Sequence, residues 1–136
     1  MQRVSEASVE VDGERIAEVG PGLLVLLGVH VDDDEGHADR MASKLAALRI
    51  FEDADGRMNR SVTDTRGEIL CVSQFTLLAD TSRGNRPSFV EAARPEEAEP
   101  LYERVREALG AQGGRFGARM AIRLVNDGPV TLSVEI

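Results

Sequence analysis

The chain has 136 residues, a length that suits one domain over residues 1–136. Hydrophobic residues make up 42% and charged residues 29%, which excludes wholesale disorder. Sixteen basic against twenty-four acidic residues give a net charge of −8, which argues against a general nucleic-acid binder.

The first elements read as a hairpin. Val9 and Val11 alternate with polar residues, Asp12-Gly13 follows, and Ile16 and Val19 resume the alternation. An Asp-Gly pair between two such runs predicts a tight turn. Gly20-Pro21-Gly22 ends that strand. Leu23 to Val29 is apolar without alternation, as in a strand buried on both faces. Asp32 to Glu35 then precede a helix over about residues 36–49, with Met41, Leu45 and Leu48 as its apolar stripe. Carboxylates favour a helix N-terminus, so this acidic run reads as a cap and not as a metal site. Most of the acidity is N-terminal: residues 1–40 hold 3 basic and 10 acidic groups, residues 41–136 hold 13 and 14.

Glu52 to Gly56 has a superficial likeness to a calcium loop. With Gly56 as the loop glycine, positions 1 and 12 would be Phe51 and Val62, which cannot ligate calcium. A turn at Asp55-Gly56 explains the residues. Residues 68–78 read as a second central strand. A polar loop from Asp80 to Ser88 carries Arg83 and Arg86. Residues 95–109 read as a helix opened by Pro95, with Pro100 bending or delaying its start. Residues 120–125 and 130–136 read as two strands around Asn126-Asp127-Gly128-Pro129. This order predicts an α+β layered domain.

Catalytic parts are scarce. His30 and His37 each have a simple structural reading at an element end. Cys71 lies between Leu70 and Val72 and reads as an inert core thiol. As the only cysteine it forms no intrachain disulfide, which fits a cytoplasmic location. No apolar run approaches the roughly 20 residues of a membrane span, and no HExxH, CxxC or Walker A sequence occurs. No metal or cofactor is expected. Two segments stand out. Ser73-Gln74-Phe75-Thr76 puts three polar side chains into a buried strand, either because the strand ends there or because they line a pocket. Asn126 to Thr131 is either a hairpin turn or a backbone feature that needs Gly and Pro.

Ser73-Gln74-Phe75-Thr76-Leu77, Gly84-Asn85-Arg86-Pro87-Ser88-Phe89, Arg115-Phe116-Gly117-Ala118 and Asn126-Asp127-Gly128-Pro129-Val130-Thr131 occur together in this order. In this the chain resembles the D-aminoacyl-tRNA deacylases over essentially its whole length. The resemblance implies a layered β/β/α domain with two helices packed on antiparallel and mixed sheets. It implies a homodimer that hydrolyses the ester joining a D-amino acid to the tRNA 3′ end, and glycyl-tRNA as well, without acting on DNA or membranes. It further implies that Gly128-Pro129, joined by a cis peptide, reaches from one subunit over the amino acid at the other's Ser73-Gln74-Phe75-Thr76. There the wall rejects an L side chain by clash. The expected catalytic groups are the Phe75 backbone N–H as oxyanion donor, Gln74 as orienter and Ser73 as a pocket wall, with help from the substrate 2′-OH. Thr76 is expected to be a pocket residue, a nucleophile being the other reading. Arg83 and Arg86 are the expected tRNA contacts. Three departures are visible. Family members usually begin four or five residues earlier, the loop before Arg115 is shorter than usual, and Gly113 stands where a Thr is usual. The competing reading is a noncatalytic tRNA-binding module on the same fold.

Overall fold

A computed structural model describes residues 1–136. Strand β1 (Gln2–Val11) turns at Asp12-Gly13 into β2 (Glu14–Val19). Both turn residues have positive φ, 52° and 78°, as this hairpin requires. Strand β3 (Gly22–Leu27) follows, then helix α1 (Glu35–Ala47). The acidic run does cap α1: Asp34 accepts from the His37 amide at 2.9 Å. A small hairpin, β4 (Phe51–Glu52) and β5 (Met58–Arg60), and a single helical turn, α2 (Val62–Thr65), lead into β6 (Glu68–Ser73). A 3₁₀ turn over Phe75–Leu78, helix α3 (Pro95–Ala108), β7 (Gln112–Gly113) and β8 (Ala121–Thr131) complete the chain. Helix α3 starts at Pro95 and runs on through Pro100, so that proline does not delay it.

The main sheet runs β2-β1-β3-β6-β7, and β8 lies along the other edge of β1. The β3/β6 and β6/β7 pairs are parallel and the others antiparallel. The sheet curls until its first and last strands meet. There the Gln112 side chain accepts from the Glu18 amide (3.1 Å) and donates to the Glu18 carbonyl (2.8 Å), standing in for a ladder rung. The result is a nearly closed barrel with helices on one flank. This is the expected β/β/α layering.

The unbroken apolar run of β3 is buried on both faces. Leu23, Val25 and Leu27, with Ile69 and Cys71 of β6, face helices α1 and α3. Leu24, with Leu70 and Val72, faces the barrel interior beside Val4, Val9 and Val19. Both faces are dry, so period-2 alternation never shows. Tyr102 of α3 is buried, and its hydroxyl donates to the Cys71 carbonyl at 2.7 Å.

Two expectations are corrected. The strand over residues 68–78 stops at Ser73, because the chain turns into the 3₁₀ segment as soon as its side chains become polar. The two strands around Asn126 are one strand, β8, continuous through Pro129; residues 132–136 are not strand. The hairpin reading of Asn126-Pro129 fails because β8 pairs with β1 on both sides of it. Proline survives within the strand because these residues bulge off the ladder there.

Candidate active site

Ser73 closes β6, and the next residues form a tight turn. The Gln74 amide donates to the Leu27 carbonyl at 2.8 Å, anchoring the turn to the end of β3. The Leu77 amide donates to the Gln74 carbonyl, and the Ala79 amide to the Thr76 carbonyl, both at 3.2 Å. A 3₁₀ turn leaves its leading N–H groups without partners inside it. Here those are the amides of Phe75 and Thr76. The Gln74 side-chain amide donates to the Thr76 hydroxyl, so the two polar side chains act as a pair. Gly28 permits the close approach: a Cβ there would lie 2.4 Å from Leu78 Cδ2 and 3.3 Å from the Gln74 carbonyl oxygen.

The Phe75 ring is 55% exposed and meets Phe89 edge-on, with centroids 5.0 Å apart at 67°. Phe89 follows the loop that carries Arg83 and Arg86. That loop is closed at its base by paired bonds between Asp80 and Ser88, 2.8 and 2.9 Å. The Ser82 hydroxyl and amide hold the Asp80 carboxyl below the usual carboxylate range. Arg83 and Arg86 are exposed and form no ion pair within the chain.

Asn126-Asp127-Gly128-Pro129 lies on β8, with β1 and β3 between it and β6 in the sheet. Gln2 pairs with Thr131 and Val4 with Asn126, so Arg3 alone faces the four residues 127–130. Those four protrude as an excursion from the ladder. The Gly128-Pro129 peptide is cis, as expected, and Gly128 has φ +136°, a conformation L side chains rarely adopt. Arg3 lies beneath, only 7% exposed. Its Nε donates to the Asp127 carbonyl (2.9 Å) and its Nη1 to the Ile50 carbonyl (2.7 Å). A planar guanidinium can bridge two fixed carbonyls this way.

Sequence reading missed Arg3. Its partners lie 124 and 47 residues away, and no local pattern marks one Arg of fifteen as the buried one. His30 and His37 are spent on the Asp32–Asp34 loop: the Asp32 amide donates to His30 Nδ1, and His37 completes the α1 cap. Burial pushes the Cys71 thiol up to about 12, which keeps it protonated and inert at neutral pH. No cluster of ligating side chains suits a metal ion.

Within one chain no hydrogen bond joins the Ser73–Thr76 turn to the Gly128-Pro129 excursion. A cavity of about 800 Å³ lies between β3, α1 and the C-terminal residues. It touches Leu77 and Leu78 of the turn and none of Ser73, Gln74, Phe75, Thr76, Gly128 or Pro129.

Comparison with known proteins decides the family. A family model described as D-Tyr-tRNA(Tyr) deacylase matches residues 1–135. The chain belongs to the D-aminoacyl-tRNA deacylase family. It is 54% identical over 140 residues to a D-aminoacyl-tRNA deacylase of Symbiobacterium thermophilum, covering 99% of this chain and 93% of the relative. A second, from Opitutus terrae, is 57% identical over 141 residues, covering 99% and 94%. Among solved structures, one of the c-Myc DNA Unwinding Element Binding Protein superposes with TM-score 0.94 at 43% identity, covering 99% of this chain and 95% of that one. A probable eukaryotic D-amino acid tRNA deacylase shares the fold at TM-score 0.79 and 18% identity, covering 94% and 92%. The relatives are named as deacylases, hydrolases that cleave ester bonds, and the fold agrees with that class.

Proposed function

We propose that the chain hydrolyses D-aminoacyl-tRNA, and glycyl-tRNA, to free amino acid and tRNA, and rejects L-aminoacyl-tRNA. In this reading two chains form a homodimer in the cytoplasm. Gly128-Pro129 of the partner subunit stands over an amino acid bound at Ser73-Gln74-Phe75-Thr76. The supporting observation is the separation of the two motifs within one chain: the turn lacks a wall, and the excursion protrudes with nothing to select. Exposed Leu124 and Val125 on β8 offer apolar surface to a second copy.

The chemistry follows from what the turn carries. It holds no histidine, carboxylate or reactive thiol, so side-chain acid–base catalysis has no candidate there. The leading amides of the turn are its strongest electrophilic groups. The Phe75 N–H binds the oxyanion as water adds to the ester carbon, and one such donor lowers the barrier by roughly 3–4 kcal/mol. The adjacent ribose 2′-OH of the substrate assists the departure of the 3′ oxygen. Gln74 orients the substrate, and Ser73 shapes the pocket. Thr76 is a pocket residue: its hydroxyl already accepts from Gln74, and a nucleophilic threonine needs an activating base. Arg83 and Arg86, free on their loop, hold acceptor-end phosphates.

The test is hydrolysis of matched D-, L- and glycyl-tRNA by the purified protein. Turnover of the D and glycyl esters with the L ester spared is expected. Binding of tRNA without turnover would instead favour the noncatalytic module. Trapping an acyl group on Thr76 would replace the pocket role with a nucleophilic one.

A further inference from the structure

The excursion at Asp127–Val130 has lost its ladder partners, so something other than strand pairing must hold its shape. Arg3 secures only its first carbonyl. The far side is closed by Asn126. Its Oδ1 accepts from the Val130 amide at 2.8 Å, and its Nδ2 donates to Thr131 Oγ1 at 2.9 Å. Thr131 Oγ1 also accepts from Gln2 Nε2 at 3.2 Å, which joins the base of the excursion back to β1. A backbone N–H can only donate, so the Val130 bond fixes which way round the Asn126 amide lies. One side chain thus spans the loop from its first residue to its last two, with Gly128 and Pro129 held between.

We infer that Asn126 is a positioning residue for stereochemical selection, setting where the Gly128-Pro129 wall stands. The inference rests on the proposed role of that wall. Asn126 touches no substrate in this account; it acts through the peptide it encloses. Exclusion by clash is sensitive to placement, because a wall that recedes by a fraction of an ångström admits the excluded group. Loss of the clasp therefore raises hydrolysis of the L ester more than it lowers that of the D ester. A purely structural residue would change both by the same factor.

The side-chain chemistry predicts which replacement rescues. Aspartate keeps an oxygen to accept from the Val130 amide. Thr131 Oγ1 now accepts from two donors, and its own proton can turn to donate to the new carboxylate while Gln2 still donates to it. Asn126→Asp therefore preserves the clasp, while Asn126→Leu, close in volume, removes every bond.

The experiment measures D- and L-aminoacyl-tRNA hydrolysis for the wild type, Asn126→Leu, Asn126→Asp and Pro129→Ala, with melting temperatures alongside. Asn126→Leu should lower the D:L rate ratio by about tenfold or more, the scale of one lost polar clamp. Asn126→Asp should stay within about threefold of wild type. Should Asn126→Leu fail to fold, Asn126→Ser, polar but too short to reach Val130, carries the same expectation. If Pro129→Ala lowers the ratio and the folded Leu or Ser variant does not, the clasp is overturned while the wall stands. An unchanged ratio in Pro129→Ala overturns the wall itself, and the clasp with it.

Discussion

The Ser73–Thr76 turn and the Asn126–Thr131 excursion are built in opposite ways. The turn ends a parallel strand pair whose side chains are buried on both faces, and its amide bond to Leu27 ties it directly to that core. The excursion belongs to an edge strand, is exposed, and is held by side chains: Arg3 below and Asn126 across. A group that must aim amides at a developing charge gains from the stiffness of the core. A group that must meet a second chain has to stand proud of it. Both can be single-purpose because each depends on different anchors.

The largest expected effect comes from removing the anchor of the excursion. Arg3→Leu leaves the carbonyls of Asp127 and Ile50 without a donor. It should destabilise the fold by about 3 kcal/mol in urea unfolding, since each charge-assisted bond lost from a buried site is worth about 1.5–3 kcal/mol. Stereoselectivity should fall with it. Arg3→Lys should recover less than half, because one ammonium cannot reproduce a fork on two carbonyls. An unaltered D:L ratio in either variant would show that the excursion does not need its lower anchor.

A smaller effect is expected at the turn. Gly28→Ala puts a methyl against Leu78 and the Gln74 carbonyl. Leu78 can swing aside, but the backbone oxygen cannot, so a cost of about 1–2 kcal/mol is expected. Turnover should fall for D and L esters together, because the amides move and the wall does not. A selective change in one stereoisomer would break the division of labour between the two regions.

The division was only partly legible in the sequence. The Asp12-Gly13 hairpin, the β3 run and the two long helices are local patterns, and each lies where its periodicity places it. The end of β6 showed only as polar residues in an apolar strand, a signal that fits a strand end and a pocket equally. The structure shows the strand end, and the pocket belongs to the proposed function. For the excursion the sequence leaves a hairpin turn and a special backbone feature both open, and the continuous β8 excludes the hairpin. Asn-Asp-Gly-Pro has the composition of a turn, and only the register with β1, in which Val4 pairs with Asn126 and Gln2 with Thr131, shows the chain continuing. Arg3 and Asn126 act through tertiary contacts, which no local rule reports.

Two controls carry the smallest effects. Tyr102→Phe deletes a buried bond to the Cys71 carbonyl and should cost about 1 kcal/mol with rates and stereoselectivity unchanged. Cys71 should resist iodoacetamide in the native protein at pH 8 and react once unfolded, because burial raises its thiol to about 12. Labelling of the native protein, or loss of activity on Cys71→Ala, would give the thiol a part that the account denies it.

The central claim is that each site takes its turn from one chain and its wall from the other. Subunit mixing tests it most directly. One chain carries Phe75→Pro, which deletes the oxyanion amide; the other carries Gly128→Trp, which blocks whichever turn it faces. Each homodimer, checked for folding, should be inactive on D-aminoacyl-tRNA. After unfolding and refolding together, random pairing makes half the dimers mixed, and each mixed dimer has one intact site, so about a quarter of wild-type activity should return. A mixture that forms mixed dimers and stays inactive would mean that turn and wall act within the same chain, and the account would be wrong.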